Sequence, residues 1–210
     1  MAPIIGITAD INEKKHRTGV AYSTAVQNAG GVPLILPPLL GCEDRYLELC
    51  DGFIFTGGDD PIMEAFGEST HPKAVKVHEN RQLFELSLLS KLQSIPDVPV
   101  FGVCLGMQFL GLHAGATLIQ HLDDELLPRH QTGEHGITSE LGNGVVHTHH
   151  HQALADAGSL SVIARSDDGL IEGIADKQRP WYIGVQWHPE RTEHSILGQA
   201  LFNDFVAAAT

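Results

Sequence analysis

Cationic side chains are scarce in this chain: 13 Lys and Arg stand against 26 Asp and Glu over 210 residues, a formal charge of −13 with histidine neutral. Nucleic acids and anionic membrane surfaces are bound through clustered Lys and Arg that neutralise phosphates, and no such cluster occurs, so neither is expected as a partner. Long apolar runs are also missing. None approaches the roughly 18–20 residues that span a bilayer, and the opening Met1–Lys15 lacks the basic segment, apolar stretch and small-residue cleavage site of a secretory leader. A soluble, cytoplasmic protein acting on a small molecule is expected. Cysteine is rare and odd in number: Cys42, Cys50 and Cys104 make no disulfide framework, and reduced thiols are the default. Internal repeats, low-complexity tracts and linkers are absent as well, so residues 1–210 are read as one domain.

What is present is ordinary globular composition, 42% hydrophobic and 19% charged. Apolar, β-rich runs recur at Ile4–Thr8, Val32–Leu36, Gly52–Phe55 and Val98–Val103. Between them lie segments of helical spacing, Val20–Ala29, Cys42–Leu49 and Glu79–Leu92. Alternation of this kind reads as α/β, and strands that are continuously apolar suit a doubly wound, mostly parallel sheet covered on both faces. The second half is less regular. Pro128–Gly144 reads as a loop or a small antiparallel hairpin excursion; strands resume at Val145–His147, Leu160–Ala164, Leu170–Ile174 and Tyr182–Gln186, and an apolar helix closes the chain at His194–Ala208.

In open α/β sheets ligands bind at the carboxyl ends of strands. Cys104 follows the strand Val98–Val103 and precedes a helical pattern, with Gly102 and Gly106 two residues away on either side. Glycines so placed permit the strained elbow that lifts a nucleophile off a strand top, and a helix N-terminus favours a thiolate. The Leu105 amide is positioned to donate to an oxyanion. Cys42 and Cys50, in contrast, read as small buried hydrophobes.

His188-Pro189-Glu190 follows the late strand. In an extended segment residues two apart share a face, so Glu190 can accept from one imidazole nitrogen of His188 while the other takes a thiol proton. Thr56-Gly57-Gly58-Asp59-Asp60-Pro61, after the third strand, is either a plain turn or a loop whose Gly58 amide approaches a substrate; Asp59 and Asp60 cap the turn or contact a substrate amine. The histidines at 147, 149, 150 and 151, with His113, His121, His130 and His135 besides, invite a zinc reading, but no Cys/His pair has finger spacing, and no metal or organic cofactor is expected.

Gly102-Val-Cys-Leu-Gly-Met-Gln108 resembles the nucleophile motif of class I glutamine amidotransferases, and Gln186-Trp-His-Pro-Glu190 resembles their His/Glu motif. Thr56–Pro61 and Val146–Gln152 look like the γ-glutamyl-γ-aminobutyrate hydrolase branch of that superfamily. The resemblance implies a Cys104/His188/Glu190 triad, oxyanion donors near Gly57, Gly58 and Leu105, and a γ-glutamyl thioester on Cys104. It places Gln108, Thr148, His150, His151 and Gln152 around a γ-glutamyl substrate, and polyamine breakdown is the setting it suggests. Arg81, Phe84 and Glu85 match an Arg-x-x-Phe-Glu helix, expected to serve packing and surface ion pairs. Leu105 departs from the branch, which usually has arginine there, and is frequent among ammonia-producing members; Ala116 and His147 depart as well.

Three functions follow. The first is a stand-alone hydrolase of a γ-glutamyl amide. The second is a glutaminase subunit that delivers ammonia to a separate synthase, since 210 residues leave no room for a synthase domain. The third is a non-catalytic regulatory member of the fold, which retention of all three triad residue types disfavours. A homodimer is possible under any of them.

Overall fold

A computed structural model describes residues 1–210. Strands β1 (Ile4–Thr8), β2 (Asp10–Asn12) and β3 (Lys15–Arg17) lead into helix α1 (Val20–Asn28), followed by β4 (Val32–Leu36), α2 (Glu43–Leu49) and β5 (Gly52–Phe55). Helix α3 (Glu79–Leu92), β6 (Val100–Val103) and α4 (Leu105–His113) complete the first half. Then come β7 (Leu118–Ile119), α5 (Leu127–His130), β8 (Gly133–Ser139), β9 (Gly144–Thr148), β10 (Ala153–Leu154), β11 (Ser161–Ser166), β12 (Ile171–Ala175), β13 (Tyr182–Val185) and α6 (Gln199–Ala208).

Nine strands form one sheet in the order β4-β1-β5-β6-β13-β12-β11-β8-β9. The first five are parallel neighbours, and β12, β11, β8 and β9 continue the sheet antiparallel. The expected α/β architecture is therefore observed. Its antiparallel excursion joins the central sheet and extends it, because Gly142 at φ 137° closes the β8–β9 hairpin. Two apolar layers cover the sheet. Phe53 and Phe55 pack with Phe84, Leu88 and Phe109 on one face, while Ile54 of the same strand packs with Phe101, Phe202 and Phe205 on the other. This is the period-two alternation of a strand buried on both sides.

Three details differ from the sequence reading. The closing helix starts at Gln199, not His194: a side chain at Gly198 would meet the Thr192 carbonyl at 2.3 Å, and the chain packs as turns up to that point. The short hairpin β2–β3 carries no apolar signal, having only polar and charged residues besides Ile11. Residues 189–191 are a 3₁₀ turn and not extended, with Pro189 at its first position, where a missing N–H leaves nothing unsatisfied.

Candidate active site

Because β5, β6 and β13 are parallel neighbours, the segments leaving their carboxyl ends emerge side by side. They are Thr56–Asp60, Cys104 and Gln186–Glu190. Cys104 sits at the elbow with φ 53° and ψ −106°, a conformation costly for a residue with a Cβ. The flanking glycines are required by contact and not only by flexibility. A Cβ at Gly106 would lie 2.0 Å from the Phe55 carbonyl oxygen, and one at Gly102 would lie 2.8 Å from the Gly106 backbone. The elbow thus presses helix α4 against two strand tops, and only hydrogen fits between them.

His188 Nδ1 and Glu190 Oε1 are 2.8 Å apart. The pairing expected from extended geometry forms through the 3₁₀ turn instead, with both side chains almost fully buried. His188 Nε2 is buried without a hydrogen-bond partner. Burial opposes protonation of His188, but Cys104 and Glu190 beside the ring outweigh it and push the imidazole up to about 10. Gly57 lies between the two reactive groups: a Cβ there would be 3.1 Å from His188 Cε1 and 3.5 Å from Cys104 Cβ. Its own N–H donates to the Tyr22 hydroxyl oxygen at 3.1 Å. The N–H groups of Gly58 and Leu105 donate to no protein acceptor, which leaves two amides free at the elbow.

Arg81 corrects the sequence reading. It and Glu85 are fully buried, not a surface pair, with Arg81 Nε donating to Glu85 at 2.8 Å. Arg81 Nη2 donates to the carbonyl oxygens of Thr56 and Gly57 at 2.8 and 3.1 Å, so this guanidinium anchors the loop that carries the Gly58 amide. The spacing of Arg81 and Glu85, four apart on a helix, was the available signal; their burial was not visible in it. Gln186 and Tyr22 are further residues of the site. Gln108 Nε2 donates to Gln186 Oε1 at 3.2 Å, and Gln186 Nε2 donates to Cys104 Sγ at 3.4 Å, a buried polar chain ending on the sulfur.

Two hollows meet at Cys104. One, of about 200 Å³, includes Gly58, Asp59, Asp60, Gln108, His151 and Gln152 in its wall. The other, of about 520 Å³, includes Asp10, Arg17, Tyr22, Gly57, His188 and Arg191. A shallower depression of about 710 Å³ between residues 69–73 and 118–124 contains none of Cys104, His188 and Glu190. Asp59 belongs to both hollows at Cys104; burial and the nearby carboxylates of Asp10 and Asp60 push its carboxyl up. Gln152 Nε2 donates to the Gln120 carbonyl, and its Oε1 is buried without a partner. His151 Nε2 pairs with Asp60 at 2.9 Å.

Two expected substrate contacts are placed elsewhere. The Thr148 hydroxyl is fully buried, donates to the His130 carbonyl at 2.9 Å and lines neither hollow. His150 forms part of the wall of the smaller hollow, but Nδ1 faces the Gln152 carbonyl at 2.9 Å and Nε2 faces His130 and Glu172, so it offers no nitrogen to a substrate in that hollow. Position in the motif could not reveal this, because strand β9 turns alternate residues to opposite faces before the chain leaves the sheet.

The fold and this site define a protein of the class I glutamine amidotransferase type. Residues 3–190 match the family model described as Peptidase C26, and the chain belongs to that family, whose activities are those of hydrolases and amidotransferases. Protein NtpR of Enterococcus hirae is 33% identical, covering 98% of this chain and 99% of its own length. The gamma-glutamyl-gamma-aminobutyrate hydrolase PuuD of Escherichia coli is 29% identical, over 98% of this chain and 93% of its own. A glutamine amidotransferase structure from Thermotoga maritima superposes with a TM-score of 0.66 at 15% identity, covering 90% of this chain and 77% of that one. The structure of a candidate GMP synthase component from Thermoplasma acidophilum superposes at 0.72 and 18% identity, covering 100% and 94%. The two structures share the fold.

Proposed function

We propose that the protein hydrolyses a γ-glutamyl amide whose amine half carries a carboxylate, of which γ-glutamyl-γ-aminobutyrate is the reference substrate. The observation that carries this reading is the pairing of His188 with Glu190 beside a strained Cys104, between two unengaged backbone amides. Cys104 Sγ, its proton already held on His188, attacks the γ-carbonyl carbon. The carbonyl oxygen takes up the negative charge against the Gly58 and Leu105 N–H groups. Collapse expels the amine, which receives the proton from His188, and leaves a γ-glutamyl thioester. Water, deprotonated by His188, then releases glutamate and returns the thiol. Glu190 holds the imidazole in orientation and stabilises its charged form. None of these steps calls for a metal or organic cofactor.

The two hollows support the substrate class. The smaller has the dimensions of an amino-acid head group, and its Asp59 carboxylate and unpartnered Gln152 Oε1 suit an α-ammonium, which would relieve the crowding of Asp10, Asp59 and Asp60. The larger contains Arg17 and Arg191, two guanidiniums that suit a carboxylate on the departing amine. Ammonia, the leaving group from glutamine, would use neither.

The test is glutamate release by the purified chain from γ-glutamyl-γ-aminobutyrate and, separately, from glutamine, with Cys104→Ala as control. Cys104-dependent turnover of the first, well above the second, is the expected result. Glutamine as the better substrate, rising when a synthase partner is added, would establish the glutaminase subunit instead. Turnover unaffected by Cys104→Ala would reject the nucleophile.

A further inference from the structure

Behind the wall of the smaller hollow, four side chains from separate parts of the chain converge: His130 at the end of α5, His135 in β8, His150 after β9 and Glu172 in β12. One ligand atom from each lies within 4.8 Å of all the others. Glu172 Oε1 is 3.5 Å from His130 Nδ1, 3.3 Å from His135 Nε2 and 3.4 Å from His150 Nε2; His130 Nδ1 is 3.2 Å from His150 Nε2. Four donors at ~2.0–2.1 Å from a tetrahedral zinc ion stand ~3.3–3.4 Å from one another, and four of the six pairs among these atoms, at 3.2–3.5 Å, have that spacing, with the two remaining pairs, both to His135, within 4.8 Å.

Hydrogen bonding alone does not account for the cluster. Glu172 is fully buried, yet neither of its oxygens accepts a hydrogen bond, and both ring nitrogens of His135 are buried without partners. The outward nitrogens of the other two rings face acceptors. His130 Nε2 is 3.0 Å from Asp168 Oδ2, itself held by the Ser166 hydroxyl, and His150 Nδ1 is 2.9 Å from the Gln152 carbonyl oxygen. With both rings neutral and the protons on those outward nitrogens, His130 Nδ1 and His150 Nε2 turn lone pairs inward toward each other and toward a carboxylate, whereas one added proton on their 3.2 Å contact makes it a hydrogen bond. Facing lone pairs in a buried site repel unless a cation sits among them. Carboxylate and backbone carbonyl acceptors behind metal-bound imidazoles are also the usual outer support of a metal site.

We propose that His130, His135, His150 and Glu172 bind one divalent transition-metal ion of the zinc type. Three imidazoles and a carboxylate fill all four vertices, so the site is structural and presents no open position to substrate. The ion ties α5, β8 and β12 to residues 149–152, the segment whose His149 carbonyl oxygen lies 4.0 Å from Cys104 Sγ. This replaces the expectation of a chain without metal and gives the histidine-rich loop a second role. The inference does not depend on which amide the enzyme cleaves.

The experiment uses untagged full-length protein, analysed for metal as purified, then stripped with a chelator and titrated with Zn²⁺ against a chromophoric competitor and with Co²⁺ in the visible range. The expected result is one tightly held equivalent per chain, a melting temperature that falls on stripping and recovers with Zn²⁺, and the strong visible bands of tetrahedral Co²⁺. Glu172→Gln and His135→Ala should lose that equivalent. Should either fail to fold, Asp168→Asn, which leaves all four ligands in place while weakening the support of His130 and the contact with Arg129, should weaken Zn²⁺ binding by about 10- to 100-fold. A stripped protein of unchanged melting temperature with no tight equivalent would overturn the proposal, leaving shared protons as the cluster's charge. So would an equivalent retained in both Glu172→Gln and His135→Ala, since the metal would then lie elsewhere among the 13 histidines.

Discussion

The proton on His188 connects the chemistry of the site to the stability of the fold. Its imidazole is raised from the ordinary ~6.5 to about 10, with burial opposed and outweighed by Cys104 and Glu190. Because the folded value is the higher one, the contribution of protonated His188 is complete below about pH 6.5 and is lost as the pH rises through about 10. The free energy of unfolding, followed by urea titration from pH 7 to 10, should decline less in Glu190→Gln than in the native chain; parallel declines would show that Glu190 does not support the charge. Burial, aided by the Asp51 charge, pushes Cys50 up to about 12, so iodoacetamide at neutral pH should label Cys104 well before Cys50. Equal labelling, mapped by mass spectrometry, would sink the activated-nucleophile reading. Arg17 is largely exposed, and an exposed ion pair contributes at most ~1 kcal/mol. Arg17→Gln should therefore raise KM for γ-glutamyl-γ-aminobutyrate by up to about fivefold and leave KM for glutamine unchanged. At this scale residue identities and spacing were legible: type and order single out Cys104, His188 and Glu190 as candidates, and the structure sets His188 Nδ1 2.8 Å from Glu190. The roles of Thr148 and His150 were not, because they depend on which way each ring or hydroxyl points.

Among the elements, the elbow between β6 and α4 and the helix α3 beneath it govern the geometry of attack. Gly106→Ala places a methyl 2.0 Å from the Phe55 carbonyl oxygen, a backbone contact that no rotamer relieves. The helix must shift, and a displacement of the nucleophile near 1 Å can lower the rate by about 10²-fold; single-turnover acylation of Cys104 should fall by at least that much while secondary structure by circular dichroism persists. Arg81→Gln removes the anchor of the Gly58 loop and strands Glu85 as a buried, uncompensated charge. A loss of about 3–5 kcal/mol in urea denaturation is expected, and a loss under 1 kcal/mol would mean that water reaches the pair. The first-half elements were readable from apolar runs and helical spacing, down to the limits of β1, β4, β5 and α3. The β2–β3 hairpin and the 3₁₀ turn at Pro189–Arg191 were not, because both are set by contacts with neighbouring loops and carry no periodic pattern of their own.

For the whole molecule, a formal charge of −13 sets the balance. Exposed pairs such as Lys91–Asp44 and Lys177–Glu140 contribute little, whereas repulsion among the excess carboxylates acts over the whole surface. Raising ionic strength from about 0.01 to 0.15 M shortens the screening length from ~30 to ~8 Å. The melting temperature should rise over that range; a fall would mean that attractive ion pairs outweigh the repulsion.

The sequence by itself determined the α/β architecture, the elbow and the order of Cys104, His188 and Glu190. Those features follow from local rules: apolar runs make strands, flanking glycines permit the strained turn, and residue type sets reactivity. Only the tertiary structure decided that Arg81 lies under the Gly58 loop, that Gln186 reaches the sulfur, and that His130, His135 and His150 close around Glu172. Each of these joins segments far apart in the chain, and their meeting is settled by strand order and by the direction in which each strand turns its side chains. A linear pattern carries neither.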